Sequence, residues 1–556
     1  MVQSKKYVEK EQVELFVNKV GPYSNPDETY HYYSLPVCRP NEVSYKRMSL
    51  GQVIKGDRLS YSLFKVNFLE NSFKVFLCKK KLLQSDVASL KAAIEDDYYF
   101  EFFVEDIPMR GFVGEVKEVS IWPHTHISYI KFAKVFPTQL LKLPDAPSKP
   151  LDLEMTYSIK WQVFHPTDLK LSTDSRARSS HKQALKIHWI SVINSTLLAV
   201  FLVIFNGLVL LRILKNDFSK FNNTSPLDAG NFEDSDNGWK MIHADVFRFP
   251  HYKSLLSSFL GVGTQILALA GSLLVMAAFN MFHVRNHGTL QVAAVIIYAF
   301  TCCLAGFVSN SFYIQIGGKN WVGNMLLTSS IFTGPLFLCW FFVNTVHWAY
   351  QSTQALPFST ILFLFSIFVF IGYPLCLLGG IFGKNCVNNK FNAPCRTRNV
   401  AREIPPAEWY NKRTIHSFVG GLVCFASISV QMNYVFETMW GRQHYVLYEI
   451  LLLTFLLLIL VSGAMGITLI YFQLSSENFL WWWRAFVNTG STGFFLYIYS
   501  VYFYHSKSNM HGFLQSVDYF TYNLLLSYAF FLSFGAVSFY CSLIFIKYIY
   551  RNLKMD

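Results

Sequence analysis

Glu449, His347 and Asn344 fall inside or beside stretches otherwise dominated by Leu, Ile, Phe and Val. A charged carboxylate costs about 2.5 to 3.5 kcal/mol at the centre of an inserted helix, so each such group needs a partner, water or a function. Glu449 lies near one end of its segment, where hydration can satisfy it; the sharper reading of it, with His347 and Asn344, is an intramembrane functional role such as ion or solute passage. Asn206, Gln265, Asn310, Gln431, Asn433 and Asn523 are further polar groups in apolar surroundings. These are expected to tie helix to helix at about 1 kcal/mol or less each. Gly261, Gly263, Gly379, Gly383, Gly463 and Gly466 would let helices approach closely.

Enzymatic chemistry has little support in the spacing. His124 and His126 would share a strand face, but no third ligand stands at a convincing distance in sequence. Cys386 and Cys395 lack the second pair that a zinc module needs. There is no glycine-rich phosphate loop, no HExxH and no G-x-S-x-G, so no enzyme, cofactor or metal is expected. Cys38 and Cys78 are the only cysteines of the N-terminal region, and either one disulfide or two buried thiols fits them. Trp481, Trp482, Trp483 and Arg484 sit where a hydrophobic segment begins. An interfacial aromatic belt explains them, and a lipid or cargo contact is the alternative.

The elements that must position these groups follow from composition. Of 556 residues, 52% are hydrophobic and only 15% charged, with a mean hydropathy of +0.28, which is too apolar for an ordinary soluble chain. The net charge of +13 does not imply nucleic acid, because the basic residues lie between apolar blocks and form no tract. Residues 1–185 alternate short β-branched and aromatic runs with turn signals, which predicts a β-rich, sandwich-like domain followed by a basic membrane-proximal linker. A helix-prone stretch near Ser85 to Asp97 interrupts it.

Residues 186–556 contain nine segments long and apolar enough to cross about 30 Å of hydrocarbon. They lie near 187–213, 254–280, 289–316, 322–346, 358–382, 415–435, 445–472, 480–504 and 517–549. The predicted fold class is therefore a polytopic α-helical membrane protein, nine transmembrane helices carrying an N-terminal lumenal β-rich domain. Lys and Arg concentrate in the loops near 214–253 and 383–414 and in the tail near 550–556, whereas the opposite side holds only Arg285, Arg442 and Lys507 between spans. Positive charge is retained on the cytosolic side, which places the C-terminus there and, with an odd number of crossings, the N-terminal domain in the lumen. The sequence opens without a charged, apolar and small-residue signal pattern, so a removed signal peptide or targeting by the first span is expected.

From GWKMIHADVFRFP at 238–250, the chain resembles the nonaspanins, the transmembrane 9 superfamily. The likeness is carried also by YYSLPVCRP, LGQVIKGDRLSYS, YYFEFFVEDIPMRGFVGEV, IHWISVINS, QALPFSTILFLF, IPPAEWY, FQLSSENFLWWWR and the terminal IKYIYRNLKMD. That resemblance implies residence in Golgi and endosomal membranes and a part in sorting or surface delivery of other membrane proteins, with cargo transmembrane proteins and the lipid bilayer as partners. It further implies that Lys554 and Asp556 form a tail signal read by COPI coat subunits; read without it, Lys554 and Arg551 are interfacial anchors. An ion or small-solute transporter is the rival reading, and a scaffold whose N-terminal domain binds ligands is a third.

Overall fold

The computed structural model describes residues 7–23, 25, 28–104, 107–117, 120–123, 151–161, 175–222, 238–279, 281–282, 288–387, 391–440, 448–508, 510 and 512–551. His124, His126, Lys554 and Asp556 lie outside the described residues, and so does the side chain of Glu449.

In the N-terminal part, β1 (Gln12–Val13) precedes β2 (Leu15–Pro22), a strand buried along its whole length. It is the centre of a five-stranded antiparallel sheet with β3 (Tyr30–His31), β4 (Ser60–Tyr61), β7 (Tyr98–Val104) and β8 (Ile107–Phe112). Helix α1 (Leu50–Ile54) lies between β3 and β4 and begins at Ser49, whose side chain and that of Gln52 cap each other's backbone N–H groups. β5 (Val66–Asn67) pairs with β1, and β6 (Ser72–Leu82) pairs with β11 (Leu151–Ile159) in a separate long ribbon. β9 (Gly114–Lys117) and β10 (Ser120–Pro123) form a short hairpin. Helix α2 (Gln84–Glu95) occupies the stretch predicted helical and buries Val87, Leu90, Ala93 and Ile94 against the aromatic face of Phe100 and Phe102. Cys38 and Cys78 are joined by a disulfide with Cα atoms 6.0 Å apart, which ties the segment after β3 to the β6 ribbon.

The sheet domain is thus several small sheets around one aromatic core, more fragmented than two continuous layers. Its physical basis is sequence: β2 and β7 carry apolar residues at nearly every position and are covered on both faces. The ribbon strand β11, in contrast, alternates half-buried and exposed residues and has one face covered.

The C-terminal part is helical: α3 (Ser175–Asn222), α4 (Gly238–Met241), α5 (Lys253–Ala278), α6 (Thr289–Gln315), α7 (Trp321–Ala349), α8 (Phe358–Ile367) running through a π turn into α9 (Tyr373–Cys386), α10 (Arg413–Trp440), α11 (Tyr448–Ser475), α12 (Trp481–Gly490), α13 (Thr492–Ser506) and α14 (Phe513–Arg551). Among the described residues, eight helical segments are long and apolar enough to cross a membrane. The expected span near 480–504 is divided: α12 and α13 meet at Ser491, and neither half alone is long enough. The break falls in the run Asn488-Thr-Gly-Ser-Thr-Gly, where hydroxyls compete for backbone carbonyls: Ser491 Oγ donates to Asn488 O and Thr492 Oγ1 to Thr489 O. The first helix begins at Ser175, inside the stretch read as a linker.

Small residues set the helix packing. A Cβ on Gly306 would overlap the carbonyl of Cys376, and one on Gly379 that of Cys303, so α6 and α9 are in backbone contact on both sides. The intramembrane amides do tie helices: Asn310 Nδ2 donates to Gly380 O at 2.7 Å, Ser195 Oγ to Gln431 Oε1 at 2.8 Å, and Thr468 Oγ1 to Asn206 Oδ1 at 2.9 Å.

The loop before α5 folds under the helices. Trp239, Ile242, Val246 and Phe247 are buried in one cluster with Trp481, Trp482, Phe539 and Tyr550. Trp481 Nε1 donates to Val246 O at 2.8 Å and Trp483 Nε1 to His251 O at 3.0 Å. This corrects the interfacial reading of the tryptophans: Trp481 and Trp482 are core residues at 0% and 2% exposure, stacked on each other, and only Trp483 and Arg484 are half-exposed. The loop supplies a protein wall where sequence alone suggests lipid. Asp245 and Arg248 brace it, with Arg248 pairing Asp245 at 2.7 Å and donating to Arg398 O at 3.0 Å.

Candidate functional site

The sheet domain is seated on the helices at a polar seam. Thr29, fully buried, receives Thr353 N–H at 2.9 Å and Ser352 Oγ–H at 2.8 Å on its carbonyl, while its hydroxyl meets that of Thr353 at 2.6 Å. Arg58 donates to Ala355 O at 2.7 Å. It is aimed by a buried network in which Asn18 accepts from Arg58 N–H at 2.7 Å and donates to Asp57 at 3.0 Å, and Lys19 pairs with Asp57 at 3.2 Å. Burial pulls the Arg58 guanidinium below its ordinary value, against the pull of Asp57. Glu28 accepts from Tyr30 at 2.8 Å and is also reached by Gln515 of α14.

Directly beneath this seam, His347 in the last turns of α7 faces Asp518 in the second turn of α14, Nε2 to Oδ1 at 3.0 Å. Their side chains are 5% and 2% exposed. The pair lies at ion-pair distance but off the line of a good hydrogen bond, and His347 Nδ1 and Asp518 Oδ2 find no partner among the described residues. The backbone couples it to the seam: Ser352 N–H donates to His347 O at 3.0 Å, and Ser352 holds Thr29. Asn344, one turn before His347, accepts from Leu356 N–H at 2.7 Å and so fixes the 350–356 loop that carries Thr353 and Ala355.

Asn344 also lines a partly open cavity of about 330 Å³ between α7 and α8, together with Ser330, Thr333, Phe337, Phe365 and Phe368. Two helix irregularities shape it. Pro335 deprives Ile331 O of its helical donor, and Tyr528 Oη of α14 takes that place at 3.0 Å. Across the cavity, the chain passes through the π turn at Phe368–Gly372.

The structure therefore brings His347 and Asn344 together, as expected of neighbours one turn apart, and adds Asp518, Glu28 and Gln515. Asp518 had a sequence signal: it is a carboxylate one turn inside the long apolar stretch of α14. Glu28 and Gln515 had none, because only the docking of the sheet domain makes them neighbours. Among the described residues no group of three His, Cys, Asp or Glu side chains could hold a metal.

The profile of the family described as Endomembrane protein 70 matches residues 29–513, from Thr29 of the seam to the first residue of α14. The chain belongs to the Endomembrane protein 70, or transmembrane 9, family. Transmembrane 9 superfamily member 1 of Mus musculus is 47% identical over 567 residues, covering 98% of this chain and 93% of that protein. Transmembrane 9 superfamily member 4 of Arabidopsis thaliana is 39% identical, with 98% and 94% covered. A protein named putative phagocytic receptor 1b, of Dictyostelium discoideum, is 38% identical, with 99% and 95% covered. No solved structure matches. The family is one of multi-pass endomembrane proteins, and its membrane-spanning helices imply the lipid bilayer as partner.

Proposed function

We propose that this transmembrane 9 protein is a non-enzymatic trafficking factor of Golgi and endosomal membranes that assists the sorting, localisation or surface delivery of other membrane proteins. The single observation that carries the reading is the partly open cavity on α7 and α8: it is apolar, lies within the membrane-spanning segments and is walled by small residues at Ser330 and Gly334. Without a hydrophobic drive between helices in lipid, a partner span is selected by close fit against such a notch. The name of the Dictyostelium relative, a phagocytic receptor, supports a role at membranes that exchange with the surface.

In this reading α12 and α13 together make one crossing, about 38 Å of helix for a hydrocarbon core of about 30 Å. The sheet domain is lumenal and the C-terminus cytosolic, with Lys554 and Asp556 as the coat-binding signal. A cargo span replaced by polyleucine should lose co-purification with the full chain; unchanged co-purification refutes span recognition. Lys554→Ala with Asp556→Ala should shift the protein from Golgi to later compartments, and unchanged localisation rejects the tail signal.

The buried His347–Asp518 pair and the break at Ser491 favour a second reading, a transporter of ions or small solutes, since discontinuous helices and buried ionisable pairs recur in such proteins. Flux in reconstituted liposomes decides it: no flux under any gradient removes the transporter.

A further inference from the structure

Two of the stretches that carry the family likeness, IPPAEWY and WWWR, meet on the face opposite the seam. The turn Trp409–Asn411 leads straight into α10, and the first turns of α10 lie against α12: Ser491 Oγ donates to Ser417 O, and a Cβ on Gly420 would overlap the Asn488 carbonyl region. Arg484 Nη1 reaches Asn411 O at 3.4 Å, and both Arg413 and His416 stand within electrostatic reach of Arg484. Lys412 and Arg413 are exposed at the rim, Arg484 is half-buried, and His416 and Asn488 are buried.

Three permanent cations thus gather with no carboxylate within 4.0 Å of any of them among the described residues. The acid nearest in sequence, Glu408, is engaged by the Tyr410 hydroxyl. Gathering like charges at a half-buried position is unfavourable unless an anion completes it. The floor is unsatisfied as well: among the described residues, His416 Nδ1, Ser417 Oγ and the amide of Asn488, which is wholly buried, have no hydrogen-bond partner. The N-terminus of α10, a 28-residue helix, adds free N–H groups and partial positive charge to the same place.

The geometry points to a phosphate-binding site where the N-termini of α10 and α12 join. Arg413 and Arg484 neutralise the charge, Lys412 stands at the rim, and Ser417 and Asn488 donate from the floor. Both helices begin here at the end of membrane-crossing segments, so the phosphate presented is a phosphomonoester on a phospholipid headgroup of the adjoining leaflet, with free phosphate the other source of the same chemistry. This site is independent of how cargo is recognised.

The test uses the purified, delipidated full chain in neutral detergent, followed by thermal unfolding with added short-chain phosphatidylinositol monophosphate, phosphatidylserine, phosphatidylcholine or sodium phosphate. Ligand that binds only the folded protein raises the midpoint saturably. The monophosphate lipid should do so, phosphatidylcholine should not, and Lys412→Gln with Arg413→Gln, both exposed, should weaken the response about tenfold or more. Arg396→Gln with Arg398→Gln, exposed on the same face outside the cluster, should leave it unchanged. Equal response in the Lys412/Arg413 variant, or none in the unaltered protein, overturns the site. Saturation by sodium phosphate at the same concentration as the lipid overturns the headgroup assignment.

Discussion

Replacing His347 by Leu leaves the Asp518 carboxylate 2% exposed, without the group 3.0 Å away and with no other partner on Oδ2 among the described residues. Removing one member of a buried ion pair costs about 3–5 kcal/mol, because the remaining charge is left unpaired, while replacing both by apolar residues of similar volume is often neutral. Asp518→Leu alone removes the buried carboxylate and leaves only the His347 ring without its partner, so its cost should be the smaller of the two. The double variant should recover most of the loss, a coupling of about 2 kcal/mol or more. Thermal unfolding of the full chain in detergent measures the three variants against the parent. Because Ser352 links His347 to Thr29, limited proteolysis should also cut the sheet domain free sooner in His347→Leu than in the double variant. Single variants within about 1 kcal/mol of the parent, or a double variant as poor as the sum of the singles, would refute the pairing.

Three further outcomes follow from other contacts. Tyr528→Phe should cost about 1 kcal/mol, since it abandons the Ile331 carbonyl that Pro335 leaves without a donor, and nearly nothing when combined with Pro335→Ala; equal costs in both backgrounds would sink the assignment. Cys38→Ala with Cys78→Ala should lower the melting midpoint of the sheet domain, because the bond closes a separation of 40 residues worth about 4 kcal/mol of chain entropy, and alkylation without reductant should leave both untouched in the parent. His31, pushed below its ordinary value of 6.5 by burial and then by Arg58 and Arg39, takes a proton less readily folded than unfolded. Stability of the sheet domain should therefore fall as pH drops from 6.5 through the lowered folded value, and His31→Gln should flatten that dependence in protease-resistance measurements at neutral and mildly acidic pH.

The helices were legible because a span is written locally: twenty apolar residues bounded by charge and turn signals announce themselves, and eight observed segments, such as Thr289–Gln315 and Phe358–Cys386, begin or end within a few residues of expectation. The break at Ser491 was not, since Gly and hydroxyl residues are tolerated in unbroken spans and only the packing of Asn488 against Gly420 of α10 shows where the ladder opens. The tryptophans misled for a related reason. An indole pair at the head of a span has the same sequence signature whether it meets lipid headgroups or a protein loop, and what decides it is the 239–250 loop, far away in the chain.

The seam shows the same limit at greater cost. His347 drew suspicion from its own surroundings, but a lone histidine at a helix end has no direction; Asp518 gives it one, and the two are 171 positions apart. Thr29 and Thr353 are unremarkable letters in any reading by composition, yet each is buried and they hold each other's hydroxyls across the junction of sheet and helices. Chemistry that depends on a residue's own type is visible in the chain, whereas chemistry that depends on a domain coming to rest on another is visible only once both have folded. Here the polar groups that join the domains and the buried His347–Asp518 pair are contiguous, linked through the hydrogen bonds of Ser352, so a change in one is felt by the other.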